Sequence, residues 1–154
     1  MSNTIKKLEL MTFQIGDYSF GIDINDIQEI NCHARMSKVP VDYEAVAGVI
    51  NLRGEVLTVI ALGKMLGIKS SNAGSGSSNY IVVKTANHRV AIAVDKLKDV
   101  ETIPASELKH LPANFKLSNQ HVLMGLVQKP EGLLLVLDST RVTQLGILNL
   151  AVAC

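Results

Sequence analysis

The chain has 154 residues, 15 Lys/Arg against 14 Asp/Glu for a formal charge of +1, and 47% apolar residues with a mean hydropathy of +0.25. That balance excludes a disordered chain, and it excludes a phosphate-backbone binder, which would carry a basic stripe. No apolar run exceeds five residues, so no membrane-spanning helix can be drawn, and no signal core follows Lys6-Lys7. Cys32 and Cys154 fit a reducing compartment, which points to a cytoplasmic protein. With 4% aromatics and no Trp, the core must be aliphatic.

Taken in chain order, the pattern is mainly β. Met11, Phe13 and Ile15 alternate, Gly16-Asp17 turns the chain, and Phe20 and Ile22 share one face of the next strand. Ile27 and Glu29 read as a strand with one side buried and one wet. Gly48 to Leu52 and Glu55 to Leu62 are two strand-like runs around an Asn51-Leu52-Arg53-Gly54 tip, a hairpin that holds one cation out at its turn. Leu62 to Leu66 predicts about one helical turn. Residues 70–78, rich in Ser and Gly, read as a flexible loop. Tyr80 to Thr85 and Val90 to Asp95 form the next hairpin. Ser106 to Leu108 predicts a short turn, and Ser139 an N-cap for Thr140 to Leu148. The apolar end, Ile147 to Ala153, is expected to pack on the body. Tyr80, Leu97 and Val100 read most simply as core.

The two sides of the Ser/Gly loop resemble each other. Phe20, Ile22, Ile24, Ile27 and Ile30 have the spacing of Val90, Ile92, Val94, Leu97 and Val100, an offset of 70. Gly48, Val56, Val59 and Ile60 match Gly125, Leu133, Val136 and Leu137, an offset of 77. The order is the same in both, which points to an internal duplication. One unit built of two similar halves, roughly 8–67 and 79–150, joined by the loop 70–78, is the organisation this suggests. Many short strands without alternating βαβ units give an all-β class of small barrels or a sandwich.

Chemistry-bearing motifs are missing. The histidines His33, His88, His110 and His121 lack ligand spacing, and Cys32 and His33, being adjacent, would point to opposite faces of a strand. No metal or cofactor is expected. The Gly/Ser run 74–78 has no Lys-Ser/Thr after it, so it is no phosphate cradle, and no Gly-x-Ser-x-Gly elbow occurs. The scattered carboxylates Asp23, Asp26, Glu29, Asp95, Asp99 and Glu101 suit a solvated surface. Arg53 stands out as a recognition device, because its planar fork can meet a carboxylate or backbone carbonyls. Its one local acidic neighbour, Glu55, is a poor partner for it. These readings give a binding module, with a small-ligand-binding β-barrel or an enzyme as the other classes.

Asn51-Leu-Arg-Gly54, with Ile27-Gln-Glu-Ile30, resembles the CheW family of bacterial chemotaxis adaptors. Phe20 to Ile24, Val90 to Asp95, Gly125-Leu126 and Leu133 to Leu137 extend the resemblance to about residues 8–150. It implies two SH3-like five-stranded β-barrels with short helices, no catalysis and no cofactor. It implies partners too: the regulatory domain of a CheA-type histidine kinase, the cytoplasmic tip of chemoreceptors, and other CheW-like domains in rings. Carried onto this chain, the kinase-binding residues would be Ile27, Glu29, Gly48 and Arg53. The receptor-binding residues would be Arg53, Tyr80, Leu97 and Val100. After the hairpin the family usually has Pro-Val-x-Asp-Leu, whereas this chain has Thr58-Val-Ile-Ala-Leu62. A paralogue serving another array, such as pilus-based motility, is the alternative within the family.

Overall fold

The computed structural model describes residues 6–40, 45–68, 79–86 and 88–144. The loop 70–78, the apolar end 147–153 and the far part of the helix expected to reach Leu148 lie outside the described residues.

Among the described residues, eleven strands form two sheets. The first contains β1 (Lys7–Ile15), β2 (Tyr18–Asp23), β9 (Lys96–Pro104), β10 (Leu123–Lys129) and β11 (Gly132–Leu137), in the order β10-β11-β2-β1-β9. The second contains β3 (Ile27–Asn31), β4 (Met36–Ser37), β5 (Val46–Leu52), β6 (Glu55–Ile60), β7 (Asn79–Lys84) and β8 (Arg89–Val94), in the order β3-β7-β8-β6-β5-β4. The expected five-stranded pair is therefore one sheet of five and one of six. The extra strand is the two-residue β4, too short to show any alternation in the sequence.

Hairpins form where the turn residues demand them. β5 and β6 are joined by two residues, Arg53 (φ 54°) and Gly54 (φ 84°), and positive φ at both central positions is the type I′ pattern that matches strand twist. Asn51 Oδ1 accepts the Gly54 N–H at 3.1 Å and holds the turn. The helical signal at 62–66 is α1 (Leu62–Leu66), ended by Gly67 in the left-handed region. A 3₁₀ turn at Ala105–Glu107 stands where Ser106 to Leu108 predicted one. Residues 139–144 are helical, and the carboxylate of Asp138 accepts the Arg141 N–H at 3.1 Å.

Positions 70 and 77 apart occupy corresponding places. Replacing each strand by its counterpart turns the order β10-β11-β2-β1-β9 into β5-β6-β8-β7-β3, which is the second sheet without β4. The one parallel pairing in each sheet also corresponds: Val136 faces Gly21, and Val59 faces Ala91. Burial follows suit. Phe20 and Val90 are fully buried, as are Ile22 and Ile92, while Ile30 and Val100 are both exposed, and so are Val56 and Leu133. The sheets, however, do not follow the sequence halves. The hairpin β1–β2 sits in the sheet that holds β9 to β11, and β7–β8 sits in the sheet that holds β3 to β6.

The main core lies between the sheets. Phe13, Phe20 and Ile22 of the first meet Ile81, Val83 and Ile92 of the second, closed by Leu62, Met65 and Leu66 of α1. Phe13 and Phe20 stack with ring centroids 5.6 Å apart. Each sheet also encloses a smaller cluster: Leu10, Val127, Leu134 and Val136 in the first, and Ile50, Leu57, Val59 and Tyr80 in the second. At two glycines the neighbouring backbone leaves no room for an added methyl. A Cβ on Gly48 would stand 2.4 Å from the Ser37 carbonyl oxygen, and one on Gly125 2.5 Å from that of Lys109.

Candidate docking faces

Arg53 projects from the β5–β6 turn with its side chain 83% exposed. It is not without an internal partner. Its Nη2 lies 3.7 Å from Oε2 of Glu29 on β3, whose side chain is 21% exposed. The sequence could not show this, because the pairing needs the hairpin to fold over a strand far away in the chain. Glu55, the only local acid, is turned to Arg89 of β8 and ion-pairs with it. Arg89 also reaches Gln28 Oε1 at 3.5 Å. So the hairpin and β3 are tied together by two links, each between groups that remain in contact with water. The same two strands, β3 and β6, carry the exposed Ile30 and Val56, and Val56 is 65% exposed. Singly, exposed apolar residues are ordinary; these two lie on the strands that the charged links join, each next in the chain to a linked carboxylate.

The first sheet has a corresponding face. Lys129 precedes the β10–β11 tip and ion-pairs with Glu101 of β9 and with Glu131 at 2.9 Å. Burial alone would lower the Lys129 pKa, but the hydrogen bonds and charges of Glu101 and Glu131 outweigh it, and the ammonium is held above its ordinary value. The Lys129 hydrogen bond in turn lowers the Glu131 carboxyl. A cleft of 160 Å³ beside this cluster is lined by Thr12, Lys98, Asp99, Glu101, Lys129 and Leu133, among others. Val100 and Leu133 supply the exposed apolar surface.

The expected site residues fall into distinct environments. Glu29 and Arg53 are brought together. Ile27 and Leu97, at corresponding positions of β3 and β9, are partly buried against the main core. Gly48 is buried under β4, and Tyr80 is 2% exposed within the second sheet's own cluster, so neither offers a side chain to a partner. Tyr80 and Leu97 thus pack as core, whereas Val100, three residues on from Leu97 along β9, does not: it is 54% exposed. The sequence reading missed Val56, Leu133 and the Lys129 cluster. The repeat could have flagged them, since Val56 and Leu133 are equivalent.

Among the described residues no cluster of His, Cys, Asp and Glu could hold a metal ion, and no helix is long and apolar enough to cross a membrane. Two related β-sheets, each with apolar and charged residues at corresponding hairpins, β5–β6 and β10–β11, suit a protein-interaction module. Comparison with known proteins agrees. The CheW-like domain matches residues 9–145. A chemotaxis protein CheW of Thermotoga maritima is 27% identical over 144 residues, covering 94% of this chain and 93% of that protein. A probable chemotaxis protein CheW of Rhizobium etli is 32% identical over 117 residues, 73% of this chain and 75% of that one. In three dimensions, the crystal structure of the scaffolding protein TtCheW from Thermoanaerobacter tengcongensis matches with a TM-score of 0.76 at 23% identity, covering 86% of this chain and 90% of that one. The chain belongs to the CheW-like domain family.

Proposed function

We propose that this chain is a non-catalytic cytoplasmic adaptor that couples chemoreceptors to a CheA-type histidine kinase in membrane-associated signalling arrays. The observation that carries the reading is the Arg53–Glu29 link at a rigid turn, with the guanidinium 83% exposed and available to a partner carboxylate or carbonyl. In this reading the kinase regulatory domain docks on the face formed by Arg53, Glu29 and Ile27. Gly48 serves it from beneath, by letting β4 pack closely beside β5. The receptor tip, a helical hairpin, meets Arg53 and the apolar Val100 and Leu97. Tyr80 supports the sheet behind them. The turn and the ion pair support this placement, as does the family to which the chain belongs.

The test is reconstitution. Receptor-bearing membranes and the kinase are mixed with and without this chain, and kinase autophosphorylation is measured. The proposal expects the chain to make kinase activity depend on the receptor. Kinase activity that ignores both the chain and the receptor would overturn it.

A further inference from the structure

The sheets are built by exchange. Residues up to 68 contribute the hairpin β1–β2, the strand β3 and the ribbon β4-β5-β6. Residues from 79 contribute the hairpins β7–β8 and β10–β11 and the strand β9. Every pairing that turns these pieces into sheets joins one set to the other: β1 with β9, β2 with β11, β3 with β7 and β6 with β8. Taken alone, neither set keeps either full sheet: β3 and β9 would be unpaired, β1–β2, β7–β8 and β10–β11 would be isolated hairpins, and β5–β6 would retain only the two-residue β4. Isolated two-stranded hairpins are marginal at best in water. The main core is divided in the same way, with Phe13 and Phe20 from one set against Val83, Val90 and Ile92 from the other. A single covalent connection, through residues 69–78, joins the sets.

We propose that the two sets are exchangeable parts, so that a second copy of this chain is a partner through half-exchange. The N-terminal set of one copy closes on the C-terminal set of another, and both pairs of sheets are rebuilt. The pairings that specify assembly are non-covalent and identical in either arrangement. The choice between them is therefore one of effective concentration, which a short tether sets near the millimolar range. Dilute refolding gives the closed monomer, and concentrated refolding gives the exchanged dimer. Because exchange breaks four strand pairings and the main core, it proceeds through unfolding, and a dimer once formed persists.

Complementation tests this on the full chain. Phe20→Asp places a charge in the core of the N-terminal set, and Ile92→Asp does so in the C-terminal set; both positions are fully buried. Each variant alone is expected to show no cooperative melting. Should either still melt cooperatively, Phe13→Asp or Val90→Asp is added to it. The two variants, unfolded together at equal amounts and refolded at high concentration, are expected to recover a cooperative transition of about half the wild-type amplitude, in a dimer. Mixtures as featureless as the separate variants would overturn the proposal. A second measurement uses the wild-type chain with a protease site between residues 73 and 74. After cutting, the fragments are expected to stay together at the intact mass and melt cooperatively. Fragments that separate on cutting would also overturn it.

Discussion

Arg53 and Glu29 stand 3.7 Å apart across the gap between the β5–β6 turn and β3. The turn holds Arg53 at φ 54°, a backbone state that costs a non-glycine residue energy, and Asn51 locks it from the side. A strained position occupied by a long charged side chain, mostly in water, is hard to explain by stability alone.

Thermal unfolding of Ala61→Asp tests the repeat at the level of a helix cap. Ala61 precedes α1 and makes no side-chain cap, whereas its counterpart 77 residues on, Asp138, accepts an N–H of its own helix. An Asp at 61 should stabilise the protein by about 1 kcal/mol, the usual value of an N-cap. A drop in melting temperature would show that the two helix starts are not equivalent.

Gly48→Ala and Gly125→Ala should both destabilise, by roughly 1–3 kcal/mol, because the new methyl meets backbone oxygen rather than a side chain that could move. Denaturant melts of the two variants check this. The account fails if either is neutral. The Gly48 variant also separates the buried role of that residue from a role in contact, since any loss of binding should accompany the loss of stability.

Much of this fold was legible because turns and periodicity are local. Gly16-Asp17 and Arg53-Gly54 mark their hairpins, and the apolar positions at offsets of 70 and 77 mark corresponding strands. The interleaving of the sheets was not legible, because the β2–β11 and β6–β8 pairings are parallel contacts between distant segments with no local signature. The site was half legible for the same reason. Arg53 could be singled out from its turn, but Glu29 became its partner only through the fold. Val100 and Tyr80 looked alike as apolar strand residues, yet one face of β9 leaves Val100 exposed while Tyr80 is enclosed in the second sheet's own cluster.

The acid–base cluster of the first sheet predicts a pH dependence. Lys129 is held above its ordinary value of 10.5, so its contribution to stability is complete below that value and is lost as pH rises through the higher folded value. Glu131 is held below its ordinary value of 4.5, so its contribution is present above that value and is lost as pH falls through the lower folded one. Melting curves of wild type and Lys129→Met across pH should show the largest gap between these limits and convergence beyond each. A gap that does not change with pH would mean that the cluster adds nothing by charge.

Val56→Ser tests the apolar part of the face. At 65% exposure its loss should leave the melting temperature nearly unchanged, while binding to the kinase regulatory domain weakens by about 1 kcal/mol, as for an interface contact of intermediate weight. Equal binding by variant and wild type would remove Val56 from the interface.

The most direct measurement is calorimetric binding of the CheA-type regulatory domain to wild type, Arg53→Ala and Arg53→Lys, with melting recorded on the same samples. Arg53→Ala should cost less than about 1 kcal/mol of stability, the range for exposed ion pairs. The same variant should lose about 1–3 kcal/mol of binding, the value of a charged hydrogen bond. Lys should restore only part of that loss, because it lacks the planar fork. Unchanged binding in Arg53→Ala, or a fall in stability as large as the fall in binding, would contradict the central claim that Arg53 is held out for a partner.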